Sequence, residues 1–270
     1  MNTPTLYQLA ERCLAESDAD YKARLSKQTA EDWRGGRLSR AVDAEPVAAL
    51  EPGRPERPEL VASRQLGRRR TGSSAGRAML YHALAHIEFN AINLAWDAIY
   101  RFRSMPADYY DDWVRVADEE ACHFSLLQAR LRELGHQYGD FPAHDGLWTM
   151  ARKTAHDPLV RMALVPRTLE ARGLDANPAL RDKLSRAGDA RGVEILDIIL
   201  RDEIGHVAIG NRWYHHLCQQ RGLDPQQTYI ELLQQYFTAS LRGPFHVEAR
   251  LEAGFSADEL QQLTELSSGQ

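Results

Sequence analysis

Cysteine is scarce. Cys13, Cys122 and Cys218 are the only thiols in 270 residues, odd in number and far apart. They form no disulfide framework, and such sparse use fits a reducing compartment. Long apolar runs are missing as well, since none approaches the roughly 18–20 residues that a membrane-spanning helix needs. The N-terminal stretch MNTPTLYQLAERCLAESDAD has neither the basic start nor the continuous apolar segment of a secretory signal. There is no surplus of positive charge: 33 Lys and Arg against 38 Asp and Glu leave a net charge of −5. Composition therefore gives no reason to expect a nucleic acid or an anionic membrane as partner. β-Hairpin signals are nearly absent. These absences lead to the expectation of a cytoplasmic, all-α protein, whose 43% hydrophobic content can bury a sizeable core.

Helical periodicity is what the sequence has in abundance. Residues 3–16 and about 18–34 read as two short amphipathic helices. Gly35 to about Gly72 is rich in Pro, Gly and Arg, including PGRPERPELV. Proline blocks helix continuation, so this stretch is expected to be an ordered connector lying over the domain. Four stronger helices follow, at about 74–103, 108–134, 158–173 and 190–221. The third opens at Asp157-Pro158, a side-chain cap followed by proline at the first helical position. A short helix at 178–187 precedes the fourth. Two more close the chain, one after Asp224-Pro225 and one after Ser256, whose S-A-D-E is a capping box. The expected organisation is one globular unit. Residues 1–72 would pack on a bundle at 73–222, with 223–270 as C-terminal helices.

Three Glu-x-x-His matches occur: Glu120/His123, Glu133/His136 and Glu203/His206. Chance alone gives about 0.7 matches, so position must decide which of them matter. Residues i and i+3 lie about 60° apart on a helix, and their side chains can converge on one ion. Glu133/His136 straddles Gly135 at a helix end and reads as a solvated terminus. The other two pairs sit mid-helix within apolar stripes. Glu88 and Glu170 occupy similar positions on the other two strong helices. Glu88 and Glu120 are 32 residues apart, Glu170 and Glu203 are 33 apart, and 50 separate Glu120 from Glu170. The spacing predicts two helical hairpins, each offering Glu from its first helix and Glu-x-x-His from its second. Four carboxylates and two imidazoles in one core demand cations. Two divalent ions would balance four carboxylates, and this donor set suits iron or manganese.

That pattern of ligands on four helices, over about 74–221, resembles the ferritin-like superfamily in its di-iron carboxylate branch. PGRPERPELV, HALAHIEFNAINLAWD, DEEACHF and RDEIGHVAIG are further similar to the bacterial domain-of-unknown-function family 455. The resemblance implies a ferritin-like four-helix bundle with extra N- and C-terminal helices. It also implies metal ligands at Glu88, Glu120, His123, Glu170, Glu203 and His206, with Glu120 and Glu170 or their counterparts bridging. Two Fe ions are the expected cofactors, with Mn or mixed Fe/Mn as alternatives. The implied activity is an O2-activating oxidase or oxygenase acting on a small molecule or nucleoside. Its electron donor, substrate and oligomeric state are not given by the sequence. Two other classes stand beside it: iron or manganese handling, as ferroxidase, storage or detoxification, and a non-catalytic scaffold with vestigial ligands.

Other residues have plainer readings. Glu119 and Asp202 precede ligand glutamates and are either partners of the imidazoles or solvated charges. Cys122 is expected to be a small buried hydrophobe, and Tyr81 to border the core. His82 and His86 share a helix face but lack further ligands for a separate metal site. Pro166 should kink or shorten the helix that carries Glu170. Gly205 and Gly210 are expected to allow close approach of neighbouring helices. The basic cluster Arg64, Arg68, Arg69, Arg70 and Arg77 reads as a solvated loop, with phosphate or RNA contact as the alternative.

Overall fold

Local signals set most helix boundaries in the computed structural model, which describes residues 4–41, 45–46, 50–67, 71–237 and 243–268. The fold is all-α, and the described residues contain only two isolated bridges, Thr5 with Ser39 and Leu60 with Ala143, in place of a sheet. Two compact units divide the chain, Met1–Arg152 and Lys153–Gln270.

In the first unit, α1 (Leu6–Ala15) and α2 (Ala19–Arg34) precede a hairpin of α3 (Ser74–Arg101) and α4 (Ala107–Glu133), and α5 (Gly146–Lys153) ends it. Three of these starts have a side-chain cap. Thr5 and Gln8 form a capping box on α1, Asp18 caps α2 and Ser73 caps α3. Glycine at φ +79°, Gly135, follows α4 and lets the chain leave the helix. The sequence suggested one apolar stripe on α3, yet every residue from Glu88 to Tyr100 is buried. A helix buried all round shows no strong amphipathic signal, because α1, α2 and α4 all pack on it.

The connector is anchored where it is described. Gly53 N donates to Leu14 O, Val61 N donates to Ala143 O, and Arg54 pairs with Asp145 at 2.6 Å. Lys22, fully buried, donates to the carbonyls of Leu14 (3.1 Å) and Gly53 (2.9 Å) and to Asn93 Oδ1. Three acceptors match the three protons of an ammonium group, although burial pushes this amine down to about 7. Of the basic cluster, Arg64 is exposed and Arg77 donates to Thr71 O, while Arg68, Arg69 and Arg70 lie outside the described residues.

The second unit contains α6 (Pro158–Leu164), a π-helical turn (Val165–Glu170), α7 (Ala171–Arg186) and α8 (Ala190–Arg221). Helices α9 (Pro225–Tyr236), α10 (Val247–Glu252) and α11 (Ala257–Ser268) complete it. The separate helices expected at 158–173 and 178–187 are instead one interrupted run from Pro158 to Arg186. Pro178 lies inside α7 without ending it. Proline removes the amide that would bond Leu174 O, and the His246 ring nitrogen lies 3.3 Å from that carbonyl. The expected caps are present: Asp157 accepts from Leu159 N, and Ser256 and Glu259 bond each other's amides. Helices α5 and α10, only eight and six residues long, carried no sequence signal strong enough to be expected.

Of the two glycines expected to permit close approach, only Gly210 does so. A β-carbon there would lie 2.5 Å from Pro166 Cβ, whereas one on Gly205 would meet nothing within 4 Å. Cys122 is half-buried and not a core residue, since the face of α4 opposite Glu120 is only partly covered. Among the described residues no helix is long and apolar enough to cross a membrane.

Candidate metal centre

Three sequence-expected ligands converge inside the first unit. Glu120 and His123, one turn apart on α4, are both fully buried, and Glu88 on α3 is 3% exposed. His123 Nδ1 lies 3.3 Å from Glu120 Oε2 and 3.6 Å from Glu88 Oε2. Each of the three offers a ligand atom, and those atoms all lie within 4.8 Å of one another. Burial pushes the Glu88 carboxyl well above the usual carboxylate range, and the neighbouring Glu120 pushes it further, against a smaller opposing pull from His123. Glu88 Oε2 has no hydrogen-bond partner among the described residues. Two buried carboxylates beside one imidazole form an electrostatically unfavourable group that a cation would neutralise. The residues therefore fit a metal ion, and the set of carboxylate oxygen and imidazole nitrogen suits a first-row divalent cation.

The second unit repeats the chemistry. Glu203 and His206 sit one turn apart on α8, His206 fully buried and Glu203 8% exposed, with His206 Nδ1 3.7 Å from Glu203 Oε1. Glu170 is the last residue of the π turn and is half-buried. The pairing of α6–α7 with α8 sets its level. Pro166 lies against Gly210, Arg167 bonds Asn211, Asn177 bonds Leu196 O, and Arg181 pairs with Asp197. Residue numbers fall along one helix as they rise along its antiparallel partner. Interpolating between these contacts sets Glu170 level with the turn that carries Glu203 and His206.

The plainer readings sort cleanly. Glu133 is exposed and pairs with Arg130 at 2.6 Å, and His136 faces Asp140 at 3.5 Å, so the third Glu-x-x-His match is a solvated terminus. Asp202 pairs with Arg201 at 2.8 Å, and Glu119 is half-buried. Tyr81 is fully buried, with the Arg130 guanidinium 5.9 Å from its ring centre.

His82 and His86 brace the loop after α4. Gly139 N donates to His82 Nε2 at 3.0 Å. His86 Nδ1 lies 2.8 Å from Tyr138 Oη, and its Nε2 lies 3.1 Å from His144 O. The tautomer that satisfies both accepts from the phenol and donates to the carbonyl. Burial pushes His86 down to about 3, which keeps the imidazole neutral.

Sequence reasoning missed the fully buried Arg167 and the buried Lys22. Only partner geometry identifies either, because isolated basic residues on amphipathic helices normally face solvent.

The chain's similarities say nothing about activity. A family model described as "Protein of unknown function (DUF455)" matches residues 15–261. A protein of Haemophilus influenzae (strain ATCC 51907 / DSM 11121 / KW20 / Rd), described as uncharacterized, is 51% identical over 219 residues, covering 78% of this chain and 76% of that protein. No solved structure matches. The buried ligand cluster thus sits in a chain that belongs to the DUF455 family of proteins of unknown function.

Proposed function

We propose that this protein is a ferritin-like dinuclear metal protein that activates dioxygen to oxidise an organic substrate. In this reading α3, α4, α6–α7 and α8 form a four-helix bundle. Glu88, Glu120 and His123 hold one ion, and Glu170, Glu203 and His206 hold the other. The observation that carries it is the convergence of Glu88, Glu120 and His123 in a solvent-excluded place. The repeat of Glu-x-x-His on α8, with Glu170 level with it, supports a second ion.

Two Fe ions, or a Mn/Fe pair, would supply Lewis acidity and redox electrons for dioxygen reduction. The protein residues have distinct tasks. His123 and His206 each contribute a neutral nitrogen donor, and the four carboxylates compensate the charge of two divalent ions. The buried rings of Phe89 and Phe124 pack with the half-buried Tyr138, ring centres 5.3–5.9 Å apart, and cover one side of the α3–α4 hairpin with apolar surface. Apolar packing of that kind protects reactive chemistry from side reactions.

The test is anaerobic loading with Fe(II) followed by admission of oxygen. A dioxygen-activating centre gives a transient visible absorption band and consumes oxygen in proportion to bound iron. Slow oxidation of iron without such a band, in a shell-sized assembly, would favour metal storage instead.

A further inference from the structure

We propose that Arg167 is a positioning residue for Glu170. Clamped by Asn211 and Glu259, it would fix the π turn so that Glu170 meets Glu203 and His206, making C-terminal helix α11 part of the metal site's support. This rests on the dinuclear reading above.

The π turn has a cause and an excess. Pro166 lacks the amide that would bond Met162 O, so the α-pattern breaks there. The chain resumes with Ala171 N donating to Pro166 O, a five-residue spacing. An added residue in a turn rotates everything after it by about 100°, so the π turn decides which way Glu170 faces. Pro166 alone would explain a kink, but it does not explain the side chains that follow.

Every residue from Pro166 to Thr168 is held by its own partner. The Pro166 ring fills the space left by the missing β-carbon of Gly210. Thr168 Oγ1 donates to Ala163 O at 2.7 Å, tying it to the preceding turn, and lies 2.9 Å from Tyr229 Oη. Arg167 is fully buried, donates to Asn211 Oδ1 at 2.6 Å and pairs with Glu259. Phe255, Tyr229 and Tyr214 surround its guanidinium, with ring centres at 4.4, 4.5 and 5.1 Å.

A buried ion pair is a costly way to fill space, since apolar side chains of the same volume commonly do as well. What a fork of directed donors adds is register. Arg167 precedes Glu170 by three residues, and Asn211 follows His206 by five on α8. Their bond therefore fixes the axial level of Glu170 against the Glu203/His206 turn. Asn211 is itself held, donating to Ala253 O at 2.6 Å. Glu259 in turn belongs to the capping box that starts α11.

The test compares wild-type protein with Glu259→Gln and, as a milder second variant, Tyr229→Phe. Arg221→Gln serves as a control, because it removes the Arg221–Asp157 pair of the same unit without touching the π turn. Mn(II) titration followed by electron paramagnetic resonance gives stoichiometry and affinity. Thermal unfolding of the metal-free protein reports folding separately. We expect both variants to weaken one of the two Mn(II) ions about tenfold or more while the other keeps its affinity, as loss of outer-sphere support typically does. The control should lose stability with both affinities intact. Two Mn(II) ions bound with wild-type affinity in the folded variants would overturn the positioning role alone. Affinity lost equally in Arg221→Gln would overturn it too, by reducing the effect to stability. Wild-type protein that binds no Mn(II) or Fe(II) would overturn the dinuclear reading, and this inference with it.

Discussion

His123 Nδ1 lies 3.3 Å from Glu120 Oε2 within one turn of α4, and neither side chain is exposed. Glu88 adds a second buried carboxylate, which burial and then the neighbouring Glu120 charge push toward protonation. Removing one charge should therefore relieve the metal-free protein. Glu120→Gln is expected to raise metal-free stability by about 1 kcal/mol, seen as about 2–4 °C in melting temperature in chelator. The same variant should lose part of the stabilisation that added metal gives wild type, since it keeps only one of the two ions. A melting temperature lowered in chelator would show that Glu120 is a structural hydrogen-bonding residue.

His86 gives a pH signature. Its imidazole sits at about 3 in the fold, against about 6.5 when unfolded. Between those values the unfolded chain binds the extra proton, so its contribution to stability is complete above about 6.5 and declines as pH falls toward 3. His86→Gln should flatten unfolding free energy against pH in that window by up to about 1.4 kcal/mol per pH unit. Urea denaturation at several pH values measures it, and parallel curves would refute the neutral, bracing role.

Gly210 and Gly205 make a matched pair. Gly210→Ala forces a methyl group against the rigid Pro166 ring and should cost about 1–3 kcal/mol. Gly205→Ala meets open space and should gain about 0.5–1 kcal/mol from helix propensity. Equal effects on chemical denaturation would contradict the close contact of the π turn with α8.

Lys22→Met removes three hydrogen bonds at once and leaves Leu14 O, Gly53 O and Asn93 Oδ1 without their shared donor. A loss of about 2–4 kcal/mol is expected. Cleavage by protease within residues 50–67 should quicken in the variant, because Gly53 loses its anchor to α2. Unchanged cleavage would place the connector's stability elsewhere.

The sequence was legible where signals are local. Asp157-Pro158, Ser256 with Glu259, and Gly222 at φ 65° announce helix ends, and Ala190–Arg221 agrees with the range expected for the fourth strong helix. The convergence of Glu88 on Glu120 and His123 followed from their shared stripes and spacing. What could not be read depended on partners remote in sequence. The passage of α7 through Pro178 is accompanied by His246, sixty-eight positions away. Glu170 is the last residue of a π turn, where a steady 3.6-residue periodicity fails. Arg167 reads as a surface charge until Asn211, Glu259 and three aromatic rings are placed around it.

The most direct test of the proposed dinuclear centre is metal content per chain after anaerobic Fe(II) loading and desalting, for wild type, Glu120→Gln and Glu203→Gln. The account predicts about two Fe per wild-type chain and about one fewer in each variant, since each lesion removes a ligand of a different ion. Background iron in wild type, or equal iron in all three proteins, would contradict it.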